Sequence, residues 1–259
     1  MRAALALLAV LALGYLAMCL LMFLQQRSFL YLPGYTRADP AGTDFSIERD
    51  GVVLRGWIVN PGRGDPILYF GGNAEGVELN REDFRDWFPD RSVYLLAYRG
   101  FGASQGEPRE RDLQADALAF FDHVAGRHPG ERISLLGRSL GSGVASHVAA
   151  HRPVDRLALV TPFDSMAAVG QAHFRWLPVR WLLRDRFESA KALRDFERPV
   201  LVLRAADDEV IPVHNTDRLV AALPRPPKVV VIEDAGHNDL SLAPAYGQAL
   251  SEFFAVVTD

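Results

Sequence analysis

The chain has 259 residues, of which 49% are hydrophobic and 10% aromatic, enough to bury the core of one α/β domain with an additional segment. Its formal net charge is −4, so it lacks the basic character that a nucleic-acid partner requires, and no nucleic-acid binding is predicted. Because Cys19 is the only cysteine, the chain cannot form an internal disulfide.

The N-terminal segment is predicted to be a membrane anchor. Residues 3–24 carry no charged side chain, and as a helix they would span about 33 Å, against about 30 Å for the hydrocarbon core of a bilayer. A cleaved signal peptide is the alternative, because Ala12-Leu13-Gly14 resembles a cleavage site, but the apolar run continues beyond it. We therefore predict a single-pass anchor over residues 1–27, with the folded domain on the extracytoplasmic side.

The rest of the chain alternates between predicted strands and helices. A hairpin is expected around Asp50-Gly51, and the later alternation is typical of a mostly parallel sheet with helices on both faces. Catalytic groups of such a fold collect at the carboxyl ends of the strands. Strands are predicted at 44–48, 52–59, 66–70, 92–97, 132–136, 156–160, 200–204 and 228–232, and helices at 74–88, 110–127, 140–151, 213–223 and 239–257.

Residues 164–199 interrupt this alternation. The segment lies between two predicted strands, is longer than an ordinary crossover, and contains Phe174, Trp176 and Trp181. We predict that residues 164–199 form a small helical cap, inserted into a core that consists of residues 28–163 and 200–259. The three aromatic side chains are candidates for lining a substrate pocket; contact with membrane lipid, or packing of the cap onto the sheet, fits them equally well.

The sequence ISLLGRSLGSGVA, residues 133–145, contains the motif with the clearest chemistry. A predicted strand ends in Gly137-Arg138-Ser139-Leu140-Gly141, and a helix of small residues follows. This G-x-S-x-G pattern places a serine on a strained strand-to-helix turn, where the flanking glycines avoid collisions. The glycine-rich turn of a nucleotide-binding fold is the alternative, but neither G-x-G-x-x-G nor G-K-[ST] accompanies it. Ser139 is therefore the predicted nucleophile.

A nucleophilic serine requires a histidine base and a carboxylate that orients the histidine. His237, which follows the last predicted strand after a glycine, is the predicted base. The acid is expected after the preceding strand, where Asp207, Asp208 and Glu209 are adjacent, and Asp164 is a further candidate. The order serine, aspartate, histidine along the chain is typical of α/β-hydrolases.

Two backbone amides complete the predicted site. An oxyanion needs one amide from the residue after the nucleophile, Leu140, and one from the loop after the third strand, where Asn73 is the candidate. No metal or cofactor is predicted: His147 and His151 have the spacing of zinc ligands, but Val148 stands where a metalloprotease helix needs glutamate.

Seven blocks along nearly the whole chain resemble α/β-hydrolases of the ABHD13, ABHD17 and Bem46 type. In order they are ILYFGGNAEG, YLLAYRGFGASQGEP, GRSLGSGVA, TPFDSM, LPVRWLLRDRFESA, LRAADDEVIP and AGHNDL. The resemblance implies the α/β-hydrolase fold with an N-terminal hydrophobic anchor, and it assigns the acid to Asp208 and the base to His237. Gly71 and Ala97 depart from the pattern, because many members carry histidine and aspartate at these positions.

The sequence therefore predicts a membrane-anchored serine hydrolase of the esterase or thioesterase type, acting through an acyl-enzyme. Its expected partners are an acyl substrate, such as an acyl lipid or an acylated protein, and the bilayer around the N-terminal helix. A serine peptidase of the same fold is the alternative, because the same three residues cleave amides in related folds. A non-catalytic, membrane-tethered scaffold is a further alternative.

Overall fold

An eight-stranded sheet forms the centre of the computed structural model, which describes residues 1–255. The strands are β1 (Phe45–Arg49), β2 (Val52–Val59), β3 (Ile67–Phe70), β4 (Val93–Leu96), β5 (Ser134–Arg138), β6 (Leu157–Val160), β7 (Val200–Ala205) and β8 (Lys228–Ile232). Their order is β1-β2-β4-β3-β5-β6-β7-β8. The pairs β1–β2 and β2–β4 are antiparallel, and all the other pairs are parallel.

Helices cover both faces of the sheet, as the alternation of elements predicts. They are α1 (Arg2–Leu30), α2 (Arg81–Trp87), α3 (Glu110–Ala125), α4 (Leu140–His151), α5 (Met166–His173), α6 (Val179–Leu182), α7 (Ser189–Ala192), α8 (Val213–Ala222) and α9 (Pro244–Phe254). One core cluster packs α3, α4 and α8 on one face, and a second packs α2 and α9 on the other. Strands β3, β4 and β6 are buried along their whole length because helices cover both of their sides.

Two predicted helices begin later than the sequence pattern indicates. The helix predicted from residue 74 begins at Arg81, because Ala74 adopts a left-handed conformation (φ 60°) and a 3₁₀ turn precedes α2. The helix predicted from Asp239 begins at Pro244, because the Asp239 carboxylate instead accepts a hydrogen bond from a loop amide. The predicted end of that last helix, Val257, lies outside the described residues.

Most of helix α1 is apolar and exposed. Within residues 1–255 it is the one helix long and apolar enough to cross a membrane, with a mean hydropathy of 2.6. Cys19 is buried, whereas most leucines of α1 are exposed. By length and composition α1 fits an anchor, and a signal sequence would meet the same criteria.

The segment between β6 and β7 consists of the short helices α5, α6 and α7. Helix α7 packs against α4 and α8, so this end of the segment is continuous with the core. At the other end, α6 contacts α1. The division into an anchor (1–27), a core (28–163 and 200–259) and a cap (164–199) remains our proposal, and residues 256–259 of that core lie outside the described range.

Candidate active site

Ser139 lies on the turn between β5 and α4 in a conformation that few residues adopt. Its φ is 49° and its ψ −116°, and α4 begins at the next residue. A side chain at Gly141 would overlap the carbonyl oxygen of Phe70, and one at Gly137 would lie 2.5 Å from the Gly141 oxygen. The packing of the helix against β3 and β5 therefore requires both glycines of the motif, as predicted.

Replacing Gly141 with alanine is expected to lower the free energy of unfolding by about 3 kcal/mol, because the atoms that the new methyl group meets belong to backbone and cannot rotate away. Urea denaturation monitored by circular dichroism would measure the change. Gly34→Ala is the matched control, since a methyl group there has no neighbour within 4 Å. Equal midpoints for the two variants would contradict this interpretation of the turn.

The structure brings Ser139, His237 and Asp208 into one hydrogen-bonded chain. The Oγ of Ser139 lies 2.9 Å from Nε2 of His237, and Nδ1 of His237 lies 2.9 and 3.0 Å from the two Asp208 oxygens. The His237 and Asp208 side chains are only 7% and 8% exposed. Because a carboxylate only accepts, Nδ1 carries the imidazole proton and Nε2 is free to accept from the serine hydroxyl.

The other candidate acids lie away from the imidazole. Asp207 is exposed, Glu209 instead accepts the backbone N–H of His237 at 3.3 Å, and Asp164 pairs with Arg218 at 2.6 Å. One oxygen of Asp208 also accepts two backbone amides, from residues 210 and 211, at 2.9 and 2.7 Å. These two bonds fix the orientation of the carboxylate toward the histidine.

The two predicted oxyanion donors come from the start of α4 and from the loop after β3, which lies beside the serine. A side chain at Gly72 would lie 3.7 Å from Cβ of Ser139, so the loop after β3 passes directly next to the nucleophile. Among the described residues, no acceptor is hydrogen-bonded to the backbone N–H of Asn73 or of Leu140. Both amides are therefore available to an oxygen of a bound substrate.

Ser139, His237 and Asn73 line a cavity of about 520 Å³. Three partly or fully exposed apolar side chains contribute to its lining, Leu32 from the segment after α1, Leu79, and Val210. The apolar character of these side chains suits an acyl chain better than a charged substrate.

The aromatic residues of the segment 164–199 do not line this cavity. Trp176 and Trp181 instead border a separate groove next to Tyr15 of α1, and Phe174 lines neither. All three are substantially exposed, at 47% for Phe174, 55% for Trp176 and 89% for Trp181. None of the three belongs to either core cluster on the sheet, and the neighbouring helix α6 contacts α1 instead.

Comparison with known proteins identifies the fold family. Residues 88–191 match the family model for serine aminopeptidases, S33. The α/β-hydrolase domain-containing protein WAV2 of Arabidopsis thaliana is 31% identical over 71% of this chain and 67% of its own length.

The chain belongs to the α/β-hydrolase family. The predicted fold is thereby confirmed, whereas its finer placement with the ABHD13, ABHD17 and Bem46 types remains a prediction.

Further relatives of this α/β-hydrolase match different shares of the chain. Uncharacterized protein Rv2307c of Mycobacterium tuberculosis is 36% identical over 92% of the chain and 90% of its own length. The lysophosphatidylserine lipase ABHD12 of Rattus norvegicus is 32% identical over 57% of the chain and 42% of the lipase. The Pyrococcus furiosus esterase Pf2001 shares the fold, with a TM-score of 0.63 at 18% identity over 82% of this chain and 88% of that protein.

Glu75 organises the loop after β3, which carries the predicted oxyanion donor Asn73, and the sequence analysis did not identify it. Its carboxylate accepts the Gly72 backbone N–H at 2.6 Å, the Tyr69 hydroxyl at 2.5 Å and the Asn80 amide at 2.7 Å, and Arg138 lies 3.8 Å away. Burial, followed by the Glu75 charge, raises the pKa of Tyr69 well above its usual value, so the hydroxyl stays protonated and donates. The one available signal was an acidic residue next to a glycine-rich loop.

Gly71 and Ala97, the two residues that depart from the family pattern, both lie in closely packed surroundings. A side chain at Gly71 would lie 2.5 Å from Cγ1 of Val77, so valine occupies the space that a larger residue would need. A side chain at Gly102 would lie 2.9 Å from Cβ of Ala97, so these two small residues pack against each other. Neither residue belongs to the hydrogen-bonded chain at Ser139.

The Asn73 side chain connects the loop after β3 to the end of α1. Its Nδ2 donates to the Leu30 carbonyl at 2.8 Å, and its Oδ1 accepts the Leu32 N–H at 3.0 Å. Asn73 therefore has two separate features, a free backbone amide beside the serine and a side chain that holds this amide in place relative to α1.

Asn73→Ala is expected to lower kcat for ester hydrolysis about tenfold with little change in KM, because a loosened loop presents the oxyanion donor less precisely while the donor itself remains. Steady-state kinetics in detergent would measure both constants. The loss should be largely independent of acyl-chain length. An increase in KM with unchanged kcat would show that the side chain contributes to substrate binding instead.

His147 and His151 have no third metal-ligating partner among the described residues. Their rings lie 4.2 Å apart, and the described residues contain no group of three or more His, Cys, Asp or Glu that can hold a metal ion. Burial, and then the neighbouring His151 and Arg152, lower the pKa of His147 to about 4. This histidine is therefore neutral at physiological pH.

The lowered pKa of His147 predicts a pH dependence of stability. As the pH falls from about 6.5 toward 4, the unfolded chain binds the proton before the folded one, so the free energy of unfolding decreases. His147→Gln removes this contribution, which we place at about 1 kcal/mol because the ring is partly exposed. Melting temperatures at pH 7 and pH 5 should therefore differ less in this variant than in the wild type or in the control His214→Gln. Identical differences in all three proteins would refute this assignment.

Proposed function

We propose that this α/β-hydrolase is a membrane-anchored serine hydrolase that cleaves carboxylic esters or thioesters. The observation that carries the proposal is the hydrogen-bonded chain from Ser139 Oγ through the His237 ring to the Asp208 carboxylate, at 2.9 Å and 2.9 Å. The three groups follow the carboxyl ends of the parallel strands β5, β7 and β8, and the serine lines the cavity. A non-catalytic scaffold would have no need for this arrangement.

The geometry supports acyl transfer in two steps. The Ser139 hydroxyl attacks the substrate carbonyl while His237 Nε2 takes its proton, and Asp208 stabilises the resulting imidazolium. The backbone amides of Leu140 and Asn73 stabilise the negative oxygen of the tetrahedral intermediate. His237 then protonates the leaving alcohol or thiol, and a water activated by the same histidine releases the acid from the acyl-enzyme.

An apolar acyl group beside a membrane is the proposed substrate feature. The cavity includes Leu32, two residues beyond the end of α1, and the exposed Leu79 and Val210. A site joined so closely to an anchor lies near the bilayer surface, within reach of acyl lipids and acylated proteins. The relation to a lysophosphatidylserine lipase favours the same class of substrate. We place the domain on the extracytoplasmic side of the membrane.

A serine peptidase of the same fold is the second candidate. The match of residues 88–191 to the serine aminopeptidase model favours it. Amide and ester cleavage use the same nucleophile and base, so substrate choice depends on the cavity and on the protonation of the leaving group.

A substrate comparison with the full-length protein in detergent tests the proposal. We expect hydrolysis of p-nitrophenyl acetate, butyrate and palmitate and of palmitoyl-CoA, with kcat/KM rising with acyl length, and no cleavage of alanine p-nitroanilide. Cleavage of the anilide at a higher kcat/KM than every ester would favour the peptidase. A folded protein inactive on all of these substrates would contradict both assignments.

A further inference from the structure

One stretch of the segment 164–199 combines exposed aromatic residues with unpaired positive charge. The sequence FRWLPVRWLLR, residues 174–184, holds three arginines and no acidic residue, although the whole chain has a net charge of −4. Among the described residues, no carboxylate lies within ion-pair distance of Arg175, Arg180 or Arg184. We call the exposed part of this stretch the basic aromatic surface, formed by Phe174, Arg175, Trp176, Arg180, Trp181 and Arg184.

This surface is joined to α1 along much of the helix. The Tyr15 hydroxyl donates to the Trp176 carbonyl at 2.9 Å, and the Arg184 guanidinium lies 4.0 Å from the centre of the Phe23 ring. Farther along, Arg27 forms an ion pair with the buried Asp185 at 3.0 Å. These contacts extend from Tyr15 to Arg27, about 18 Å of helix.

The position of Tyr15 then determines where the surface lies relative to a bilayer. Residues 2–14 form about 20 Å of helix, which is shorter than the hydrocarbon core of about 30 Å. A spanning α1 must therefore place residues beyond Tyr15 in the membrane as well. Because Trp176 is hydrogen-bonded to Tyr15, the basic aromatic surface must enter the membrane leaflet on the side of the folded domain.

The composition of the surface suits this location. Tryptophan is enriched at the boundary between headgroups and acyl chains, and arginine can extend its guanidinium to lipid phosphates while its stem stays in apolar surroundings. Unpaired arginines complement anionic headgroups in particular. The groove of about 500 Å³ that Trp176 and Trp181 form with Tyr15 is open to acyl chains on this side.

We infer that the basic aromatic surface is a lipid-docking surface. It inserts into the membrane leaflet on the side of the folded domain and binds anionic phospholipid headgroups there. The inference rests on the proposed membrane anchoring, but not on the proposed catalysis. It explains why these aromatic residues neither line the Ser139 cavity nor pack onto the sheet. Docking would hold the domain in one orientation, so that the cavity beside Leu32 stays near the lipid.

Tryptophan quenching in vesicles tests this inference. Full-length protein would be reconstituted into vesicles of phosphatidylcholine and phosphatidylglycerol whose phosphatidylcholine carries bromine on an acyl chain. We expect strong quenching in the wild type, loss of most of it in the Trp176→Phe/Trp181→Phe variant, and little change in Trp57→Phe, which removes a buried tryptophan. Vesicle-bound protein quenched equally in the wild type and the double variant would overturn the inference.

The arginines are tested in the same vesicles. Replacing Arg175, Arg180 and Arg184 with glutamine should lower the quenching in anionic vesicles to the value found in pure phosphatidylcholine, whereas Arg225→Gln, at an arginine paired with Glu197, should not. Equal quenching of both variants in anionic vesicles would exclude anionic headgroups as the ligand. Failure of the wild type to float with vesicles would overturn this inference together with the anchor, while ester hydrolysis in detergent would still report on the catalytic proposal separately.

Discussion

Replacing Ser139 with alanine is expected to abolish covalent labelling by a fluorophosphonate probe and to lower kcat for ester hydrolysis by as much as about 10⁶-fold. The probe reacts only with a serine whose proton can be taken by a neighbouring base, and Ser139 lies 2.9 Å from His237 Nε2. Labelling of detergent-solubilised full-length protein, read by in-gel fluorescence, is the measurement.

Ser146→Ala is the matched control for this variant. Ser146 lies on α4, two turns after the nucleophile, and its buried hydroxyl donates to the Ser142 carbonyl at 2.6 Å. This variant should therefore be labelled like the wild type. If Ser139→Ala were labelled as strongly as the control, the assignment of the nucleophile would be wrong. A folded wild type that does not react at all would favour the scaffold alternative.

Asp208→Asn is expected to lower kcat by about 10⁴-fold with little effect on folding. The asparagine oxygen can still accept the backbone amides of residues 210 and 211, which Asp208 accepts at 2.9 and 2.7 Å, so the loop keeps its shape. Its NH₂ group, however, cannot accept the Nδ1 proton and favours the wrong tautomer of His237. Steady-state kinetics with a p-nitrophenyl ester would measure the loss.

The adjacent Asp207→Asn provides a closely matched comparison. Asp207 carries the same side chain but is exposed, and its backbone N–H donates to Ala235 at 3.0 Å, a bond that the substitution leaves in place. We expect its kcat to stay within about twofold of the wild type, because a surface substitution without special contacts has small effects. A reversed result, with Asp207→Asn as the impaired variant, would transfer the orienting role to the other aspartate.

Short-range patterns made the central features of the site predictable. The glycines around Ser139 are required by contacts within a strand-turn-helix unit, so the motif carries that information locally. The apolar runs of the buried strands and the boundaries of α4 were predictable for a similar reason, since periodicity and turn residues act over a few positions. His237 was identifiable because it directly follows a strand end.

Hydrogen bonds that override a local helical pattern were not predictable in this way, even between residues that are close in sequence. Glu75 belongs to a predicted helix by its periodicity, but its carboxylate instead collects hydrogen bonds from Tyr69, Gly72 and Asn80, and the helix begins later. Local propensity favoured the helix, and a set of buried donors outweighed it.

By itself the sequence therefore determined the α/β-hydrolase fold, the serine on its turn, the histidine after the last strand and the apolar N-terminal helix. The residue types alone left Asp207 and Asp208 open, and the family resemblance assigned Asp208; the tertiary structure supplies the physical reason, because the Asp208 carboxylate is the one that contacts His237. Only the tertiary structure decided that Asn73 is bonded to the end of α1 and that Trp176 and Trp181 lie along this helix. These outcomes depend on where the chain brings remote segments together, and a one-dimensional pattern specifies the contacts within an element but not the partners that folding supplies.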